Sequence, residues 1–220
     1  MKQTLLSIYK QLFKHFGPQG WWPAESPFEV IVGAILAQSA SWKNVEKAIA
    51  NLKRERLLTP DGLLAVNNRK LARLIKPALY YNVKARKLKA FMAFLHDSYG
   101  NDLNAMFSQP TEKLRKELLA VWGVGPETAD SILLYAAGKP SFVVDAYTKR
   151  IFHRMGLLEK NPPYESVKKF FEVSLPKNVE VYQEYHALIV ELAKRYCKSK
   201  PDCRECCIRR FCKTGMHASS

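Results

Sequence analysis

The chain has 220 residues, of which 47% are hydrophobic and 11% aromatic. At about 150 residues per domain this length allows one or two domains with buried cores, and the composition excludes a disordered chain. Lys and Arg number 35 against 20 Asp and Glu, which gives a formal net charge of +15. Such a charge indicates a polyanionic partner, either nucleic acid or an anionic membrane surface. The most apolar stretch, Phe28–Ala37, is far shorter than the roughly 20 residues that span a bilayer.

Apolar residues recur at three- and four-residue spacing along most of the chain, which is the period of amphipathic helices. The predicted helices are Leu5–Phe16, Phe28–Gln38, Trp42–Leu57, Asn67–Ile75, Asn82–His96, Thr111–Trp122, Glu127–Ala137, Tyr147–Met155, Glu165–Val173 and Val179–Cys197. Thr59 and Gly100 are typical of a helix start and a helix end. Lys10 and Lys14 interrupt the first helix, which favours a cytoplasmic protein, associated with the nucleoid if prokaryotic, over a signal peptide. Only Pro140–Val144 is predicted to be extended, so the predicted fold class is all-α.

Basic residues are concentrated in two stretches of the chain. The first stretch, Asn67–Lys89, contains no acid, and its basic residues are Arg69, Lys70, Arg73, Lys76, Lys84, Arg86, Lys87 and Lys89. The second stretch, Lys194–Lys213, contains only Asp202 and Glu205 as acids. Runs of charge are usually solvated helix faces, but two acid-poor stretches in so basic a chain favour nucleic-acid binding.

All cysteines lie near the end of the chain. Cys197, Cys203, Cys206 and Cys212 have the spacing C-x5-C-x2-C-x5-C, and Cys207 is left over. A cytoplasmic chain has little use for disulfides, whereas thiolates this close together can bind one metal centre. Zinc sites usually combine two separated C-x2-C pairs, so the compact run favours a four-iron four-sulfur (4Fe-4S) cluster, with zinc as the alternative.

A glycine-containing turn and a single aspartate are the remaining candidates for chemistry. Gly123-Val124-Gly125 lies between two predicted helices, and its backbone amides suit a phosphate, although an ordinary helix-helix turn has the same composition. Asp145 follows the apolar Val143-Val144 and precedes a helix. It fits an N-cap, and a capping carboxylate has a lowered pKa and stays ionised, as a catalytic role also requires.

Together these features resemble the helix-hairpin-helix DNA glycosylases of the endonuclease III superfamily. The resemblance rests on the hairpin Gly123-Val124-Gly125, on Val144-Asp145 with Arg150 and Arg154 behind it, and on the cysteines, and it extends through Pro27-Phe28-Glu29, Ala37-Gln38-Ser39 and Tyr81-Asn82-Val83-Lys84-Ala85. It implies a six-helix barrel, residues 25–137, and a second helical domain, residues 1–24 and 138–220, with DNA in the cleft between them. Asp145 would act on a flipped nucleotide, and Gln38 would fill the vacated stack. The predicted DNA contacts are Gln38, Gly123, Val124, Gly125, Lys84 and Arg150.

The chain departs from the endonuclease III pattern at two positions. Bifunctional members carry a Lys two residues after the second hairpin glycine, and its amine forms a Schiff base with the sugar. Here that residue is Glu127, which cannot form an imine. The chain is therefore predicted to hydrolyse the glycosidic bond without cutting the strand. The first cysteine gap has five residues where most relatives have six, which leaves the ligand assignment slightly open.

A narrower resemblance concerns the base that is removed. Glu127 and Trp21-Trp22-Pro23 are similar to the endonuclease III-type 3-methyladenine DNA glycosylases, in which the Trp-Trp-Pro segment lines the base pocket and an aromatic at the position of Trp42 stacks on the flipped base. A cationic methylated adenine suits aromatic faces. Without this resemblance Trp21 and Trp22 would be assigned to core packing. Members of that branch lack the four cysteines.

Two other functions stay open: a glycosylase for uracil or thymine mismatches or oxidised bases, and a non-catalytic helix-hairpin-helix protein that only binds DNA. The predicted partner is double-stranded DNA containing a damaged base. Binding to a membrane is not predicted. The chain is predicted to act as a monomer.

Overall fold

The computed structural model describes residues 2–217, which form helices and turns without any β-strand. The α-helices are α1 (Lys2–Phe16), α2 (Pro27–Leu36), α3 (Trp42–Arg54), α4 (Pro60–Ala65), α5 (Asn68–Leu74), α6 (Tyr81–Tyr99), α7 (Leu103–Phe107), α8 (Thr111–Ala120), α9 (Pro126–Ser131), α10 (Ala146–Arg154), α11 (Tyr164–Glu172), α12 (Val179–Arg195) and α13 (Lys213–His217). Two 3-10 turns, Lys76–Ala78 and Arg209–Phe211, precede α6 and α13, and a π-helical turn, Ile132–Ala136, continues α9. The all-α prediction is confirmed.

Helix ends follow local sequence signals. Thr59 accepts a hydrogen bond from the backbone amide of Gly62 at 3.0 Å and so begins α4, as predicted. Gly100 ends α6 in the left-handed conformation, with φ 57°. The hydrophobic period does not predict α7 and α13, and for α4 only the cap predicts a helix, because helices of five or six residues are too short to show a period. The predicted helix Trp42–Leu57 ends earlier, at Arg54.

The chain divides into two compact units. The central unit is Ala24–Lys139, and the terminal unit combines Met1–Pro23 with Pro140–Ser220. In the central unit every residue of α2 from Phe28 onward is buried. Helix α2 packs against α3, α6, α9 and the π-helical turn, which makes it the centre of this core.

The terminal unit is built around α12, which packs against α1 and α10. Its core is aromatic: Phe142 stacks on Phe171 with ring centroids 4.1 Å apart, and Tyr182 meets the edge of Phe142. The hydroxyl of the buried Tyr185 donates to the backbone carbonyl of Leu5 at 3.0 Å, which ties α12 to α1. Within residues 2–217, no helix has both the length and the apolar character needed to cross a membrane.

Candidate functional site

Asp145 caps α10 in the terminal unit. Its Oδ1 accepts hydrogen bonds from the backbone amide of Thr148 at 2.7 Å and from the Thr148 hydroxyl at 2.8 Å. The Asp145 backbone is extended, with φ −100° and ψ 179°, as is usual at an N-cap. The side chain is 14% exposed, so the carboxylate is largely enclosed.

His186, on α12, faces the second oxygen of this carboxylate. Its Nε2 lies 3.6 Å from Oδ2 of Asp145. Burial acts to raise the pKa of Asp145, but the hydrogen bonding and charge of His186, together with both donors of Thr148, outweigh it. The pKa of Asp145 is therefore below its ordinary value, and the carboxylate is ionised at neutral pH. No sequence motif surrounds His186, so its place beside Asp145 could not be predicted from the chain alone.

The predicted Trp-Trp-Pro segment belongs to the same unit and approaches His186. Trp21 stacks on Trp22 with ring centroids 5.3 Å apart, and its ring lies 5.4 Å from the imidazole of His186. The backbone amide of Gln19 donates to Glu184 of α12 at 2.8 Å, which anchors the segment. Pro23 is the last residue of the N-terminal segment of this unit. The side chains of Trp21 and Trp22 are both half-buried. The structure therefore brings together Asp145, His186 and the Trp21-Trp22 pair.

The last turns of α10 hold the start of the cysteine segment. Arg150 donates through Nε and Nη2 to the carbonyl of Cys197, at 3.1 and 2.8 Å. Arg154 donates to Sγ of Cys197 at 3.2 Å and to the carbonyls of Lys198 and Ser199 at 2.6 and 2.8 Å. Arg150 is a predicted DNA contact, but its Nε and Nη2 donate to the protein's own backbone.

The four predicted cysteine ligands line one cavity. Cys197, Cys203, Cys206 and Cys212 all contribute to it, together with Arg154 and Leu192. Cys207 does not line this cavity and faces a separate, open one beside Gln11 and Arg210. The cavity therefore contains the set selected from the spacing and leaves out the fifth cysteine.

The donor chemistry of this cavity fits an iron-sulfur cluster. Burial raises the pKa of Cys206 to about 12 and also raises the pKa of Cys212, so a metal centre would have to hold both as thiolates. The backbone amide of Gly215 donates to Sγ of Cys212 at 3.4 Å, and N–H donors to sulfur are typical of cluster ligands. Among residues 2–217 no three Cys, His, Asp or Glu side chains lie close enough together, as they are placed, to hold a single metal ion.

In the central unit the glycine hairpin forms a compact network with Gln38. The amide nitrogen of Gln38 donates to the carbonyl of Gly123 at 3.0 Å and to the hydroxyl of Thr128 at 2.9 Å. Its amide oxygen accepts from Nζ of Lys87. Gly123 has φ 85°, and a Cβ there would lie 2.4 Å from Cγ of Lys87, so both conformation and space require glycine. Gly125 has open space around it.

Lys84 is a correction to the predicted DNA contacts. Only 2% of it is exposed, and its ammonium donates to the carbonyls of Leu36 and Ala78 at 2.9 and 2.6 Å. Burial, with a smaller effect from the charge of Lys87, lowers its pKa to about 8. An enclosed ammonium with two internal acceptors cannot reach a phosphate, and Lys84 instead ties the end of α2 to the turn before α6.

The other predicted residues of the central unit lie near helix starts. Trp42 is the first residue of α3 and is half-buried. Glu127 is exposed in the first turn of α9. Val124 is buried, and its backbone amide donates to the carbonyl of Val121 at 3.0 Å.

The family model described as "HhH-GPD superfamily base excision DNA repair protein" matches residues 32–177, more than half of the chain. The chain belongs to this family. It is 52% identical over 211 residues to a Methanocaldococcus jannaschii protein named "Putative DNA repair glycosylase", with 96% of each chain covered. This chain is therefore an all-α helix-hairpin-helix DNA glycosylase of base excision repair.

Two solved structures of family members are also similar. A non-covalent endonuclease III-DNA complex matches with a TM-score of 0.85 and 26% identity, covering 99% of this chain and 97% of that one. The H. pylori 3-methyladenine DNA glycosylase bound to 1,N6-ethenoadenine matches with a TM-score of 0.71 and 26% identity, covering 88% of this chain and 95% of that one.

Proposed function

We propose that this glycosylase hydrolyses the N-glycosidic bond of an alkylated base, with 3-methyladenine as the substrate, in double-stranded DNA. The observation that carries the proposal is the position of Asp145. Its ionised carboxylate caps α10 and lies beside His186 and the Trp21-Trp22 pair. Asp145 also caps α10, but a carboxylate repels phosphate, so its ionised form beside two aromatic rings favours action on the sugar over a role in DNA binding.

Asp145 acts on the sugar. Its carboxylate stabilises the positive charge that develops as the bond from C1′ to the base nitrogen breaks, and the bonding electrons leave with the base. Water then adds at C1′, and the carboxylate accepts its proton. Since Oδ1 is occupied by Thr148, we assign these steps to Oδ2.

The aromatic pair supports a cationic substrate. N3-methylated adenine carries a positive charge, which the faces of indole rings attract. Trp21 and Trp22 present stacked rings close to His186. Pro23, Trp42 and Glu127 are proposed as further contacts of the base. The likeness to a 3-methyladenine DNA glycosylase supports this choice of lesion.

We propose that the reaction ends with hydrolysis and leaves the strand intact, with the chain acting as a monomer. The residue two positions after Gly125 is Glu127, whose carboxylate cannot form an imine with the sugar. We expect that borohydride treatment during the reaction traps no covalent DNA adduct. Trapping of such an adduct by the wild type would show that the chain is bifunctional.

Cys197, Cys203, Cys206 and Cys212 are proposed to hold a 4Fe-4S cluster, which supplies a rigid centre for the basic segment around it rather than redox chemistry at the sugar. The shared cavity and the N–H donors to sulfur support this assignment.

A second candidate is a glycosylase for uracil or thymine mismatches or oxidised bases. The match to the endonuclease III-DNA complex, with a TM-score of 0.85, concerns the fold and selects no base, so experiment separates this candidate from the first. A pocket for neutral bases would leave methylated DNA intact.

The decisive experiment is incubation with methylated duplex DNA and chromatography of the released bases. We expect release of 3-methyladenine by the wild type and none by Asp145→Asn. Asn is an equally good N-cap, so this variant keeps its fold, which thermal unfolding checks. No release by the wild type from methylated DNA, with release from uracil, mismatch or oxidised duplexes, would select the second candidate. Unchanged release by Asp145→Asn would refute the role of Asp145.

A further inference from the structure

The side chain of an exposed tryptophan next to the hairpin is covered by the guanidinium group of an arginine. Trp122 immediately precedes Gly123 and is 51% exposed. The guanidinium carbon of Arg86, on α6, lies 4.8 Å from the centroid of its ring. Arg86 is itself exposed and belongs to the acid-free stretch Asn67–Lys89. No carboxylate within residues 2–217 forms an ion pair with it.

Stacking prepares this guanidinium for a planar anion. A guanidinium that lies over an indole ring keeps its N–H groups at its edge, where they can donate in pairs. Phosphate accepts such paired donation well. Holding the long side chain in one orientation also removes part of the entropy cost of binding.

The neighbouring Lys87 contacts the hairpin itself, so its role differs from that of Arg86. Its stem covers Gly123 and its ammonium donates to Oε1 of Gln38. Lys87 is therefore turned toward the hairpin, whereas Arg86 remains at the surface beside it.

We propose that Arg86, held on the face of Trp122, binds a backbone phosphate of duplex DNA beside the hairpin. The inference rests on the proposed function only in taking duplex DNA as the substrate. It assigns to Trp122 the task of orienting a phosphate ligand, in addition to that of lining an open cavity with Ala90, Phe94 and Glu117.

The test is the affinity for an undamaged duplex, measured by fluorescence anisotropy over a range of salt concentrations. We expect Arg86→Gln to weaken binding about tenfold at low salt. The slope of log K against log salt should fall by about 0.9, the value for one phosphate. Arg86→Lys should restore the slope but only part of the affinity, since an ammonium cannot donate as a planar pair.

The role of the ring has its own variants. Trp122→Leu should weaken binding, and the double variant with Arg86→Gln should be no weaker than Arg86→Gln alone, because the two side chains act as one unit. Trp122→Phe keeps an aromatic face and should retain most of the affinity, which guards against a folding defect in Trp122→Leu. Lys116→Gln is the matched control: it removes the same charge from an exposed position of α8 and should leave the slope unchanged.

Three results with these variants would overturn the inference. The first is an unchanged salt slope in Arg86→Gln, and the second is an equal loss of slope in Lys116→Gln. The third is additive losses of affinity in Arg86→Gln and Trp122→Leu. Absence of duplex binding by the wild type would also do so. Base release is measured separately: binding that follows the expected pattern without release of any base would leave the phosphate site standing and refute the proposed function.

Discussion

At the scale of single residues, the catalytic assignment depends on how two groups share one carboxylate. Thr148 occupies Oδ1 of Asp145 and His186 faces Oδ2. The resulting pKa of Asp145 is below its ordinary value. The stability that this ionised group contributes is therefore present above its unfolded pKa of about 3.9, and it is lost as the pH falls through the folded value.

Replacing His186 should move this balance in a defined direction. His186→Gln removes the imidazole that lowers the pKa of Asp145, so burial raises this pKa and base release should begin to fail at a higher pH than in the wild type. Single-turnover release of base as a function of pH measures the shift. His153→Gln, an exposed position on α10, is the control and should leave the profile unchanged. Coincident profiles for His186→Gln and the wild type would contradict the coupling.

The two hairpin glycines should respond differently to the same substitution. Gly123→Ala places a methyl group in a left-handed backbone and within 2.4 Å of the Lys87 stem, so we expect destabilisation of about 1–3 kcal/mol. Gly125→Ala meets no atom within 4 Å and should keep the melting temperature of the wild type. It should instead weaken duplex binding, because the added methyl group occupies the open space beside a predicted phosphate contact. A normal melting temperature for Gly123→Ala would count against the described network.

Lys84 illustrates what sequence reasoning misjudged and why. The acid-free stretch predicts one electropositive face, yet Lys84 lies four residues before Leu88 and seven before Phe91, which are both buried. Helical period therefore places Lys84 on the core face of α6. His186 had no comparable signal, because only the packing of α12 against α10 brings it to Asp145. The cap at Asp145, by contrast, depends on local sequence and was predictable.

At the scale of elements, Lys84 joins the end of α2 to the turn before α6. Lys84→Met keeps the apolar stem but leaves the buried carbonyls of Leu36 and Ala78 without this donor, which costs about 1–3 kcal/mol in the free energy of unfolding. Chemical denaturation measures this loss, with Lys43→Met at an exposed position as the control. The salt dependence of duplex binding should stay the same, and a reduced slope would restore Lys84 as a phosphate contact.

The cysteine segment is the second element whose role is testable. Cys203→Ser replaces a thiol of the four-cysteine cavity with a hydroxyl, whereas Cys207→Ser makes the same change outside this cavity. We therefore expect Cys207→Ser to retain iron and sulfide at about four of each per chain, and Cys203→Ser to lose them. Iron and sulfide analysis of the purified proteins decides the matter. One zinc per chain without sulfide would select the zinc alternative.

At the scale of the whole molecule, the net charge of +15 is distributed over both units. The acid-free stretch Asn67–Lys89 belongs to the central unit and the acid-poor stretch Lys194–Lys213 to the terminal unit. Contacts to phosphates release counterions, so affinity for duplex DNA should fall steeply and linearly on a plot of log K against log salt. This behaviour follows from charge and composition alone, whereas the distribution of the contacts depends on which basic side chains the fold leaves at the surface.

Lys200 and Arg204 test the contribution of the terminal stretch. Both are exposed, and their joint replacement by Gln should lower the salt slope by about 1.8, the value for two phosphates. Lys10 and Lys14, exposed on α1, form the matched pair: replacing them with Gln removes the same charge and should leave the slope unchanged. Equal losses in the two double variants would mean that total charge, rather than phosphate contacts near the cysteines, governs binding. The effects of Lys200 and Arg204 should add to that of Arg86, because residues without shared partners contribute independently.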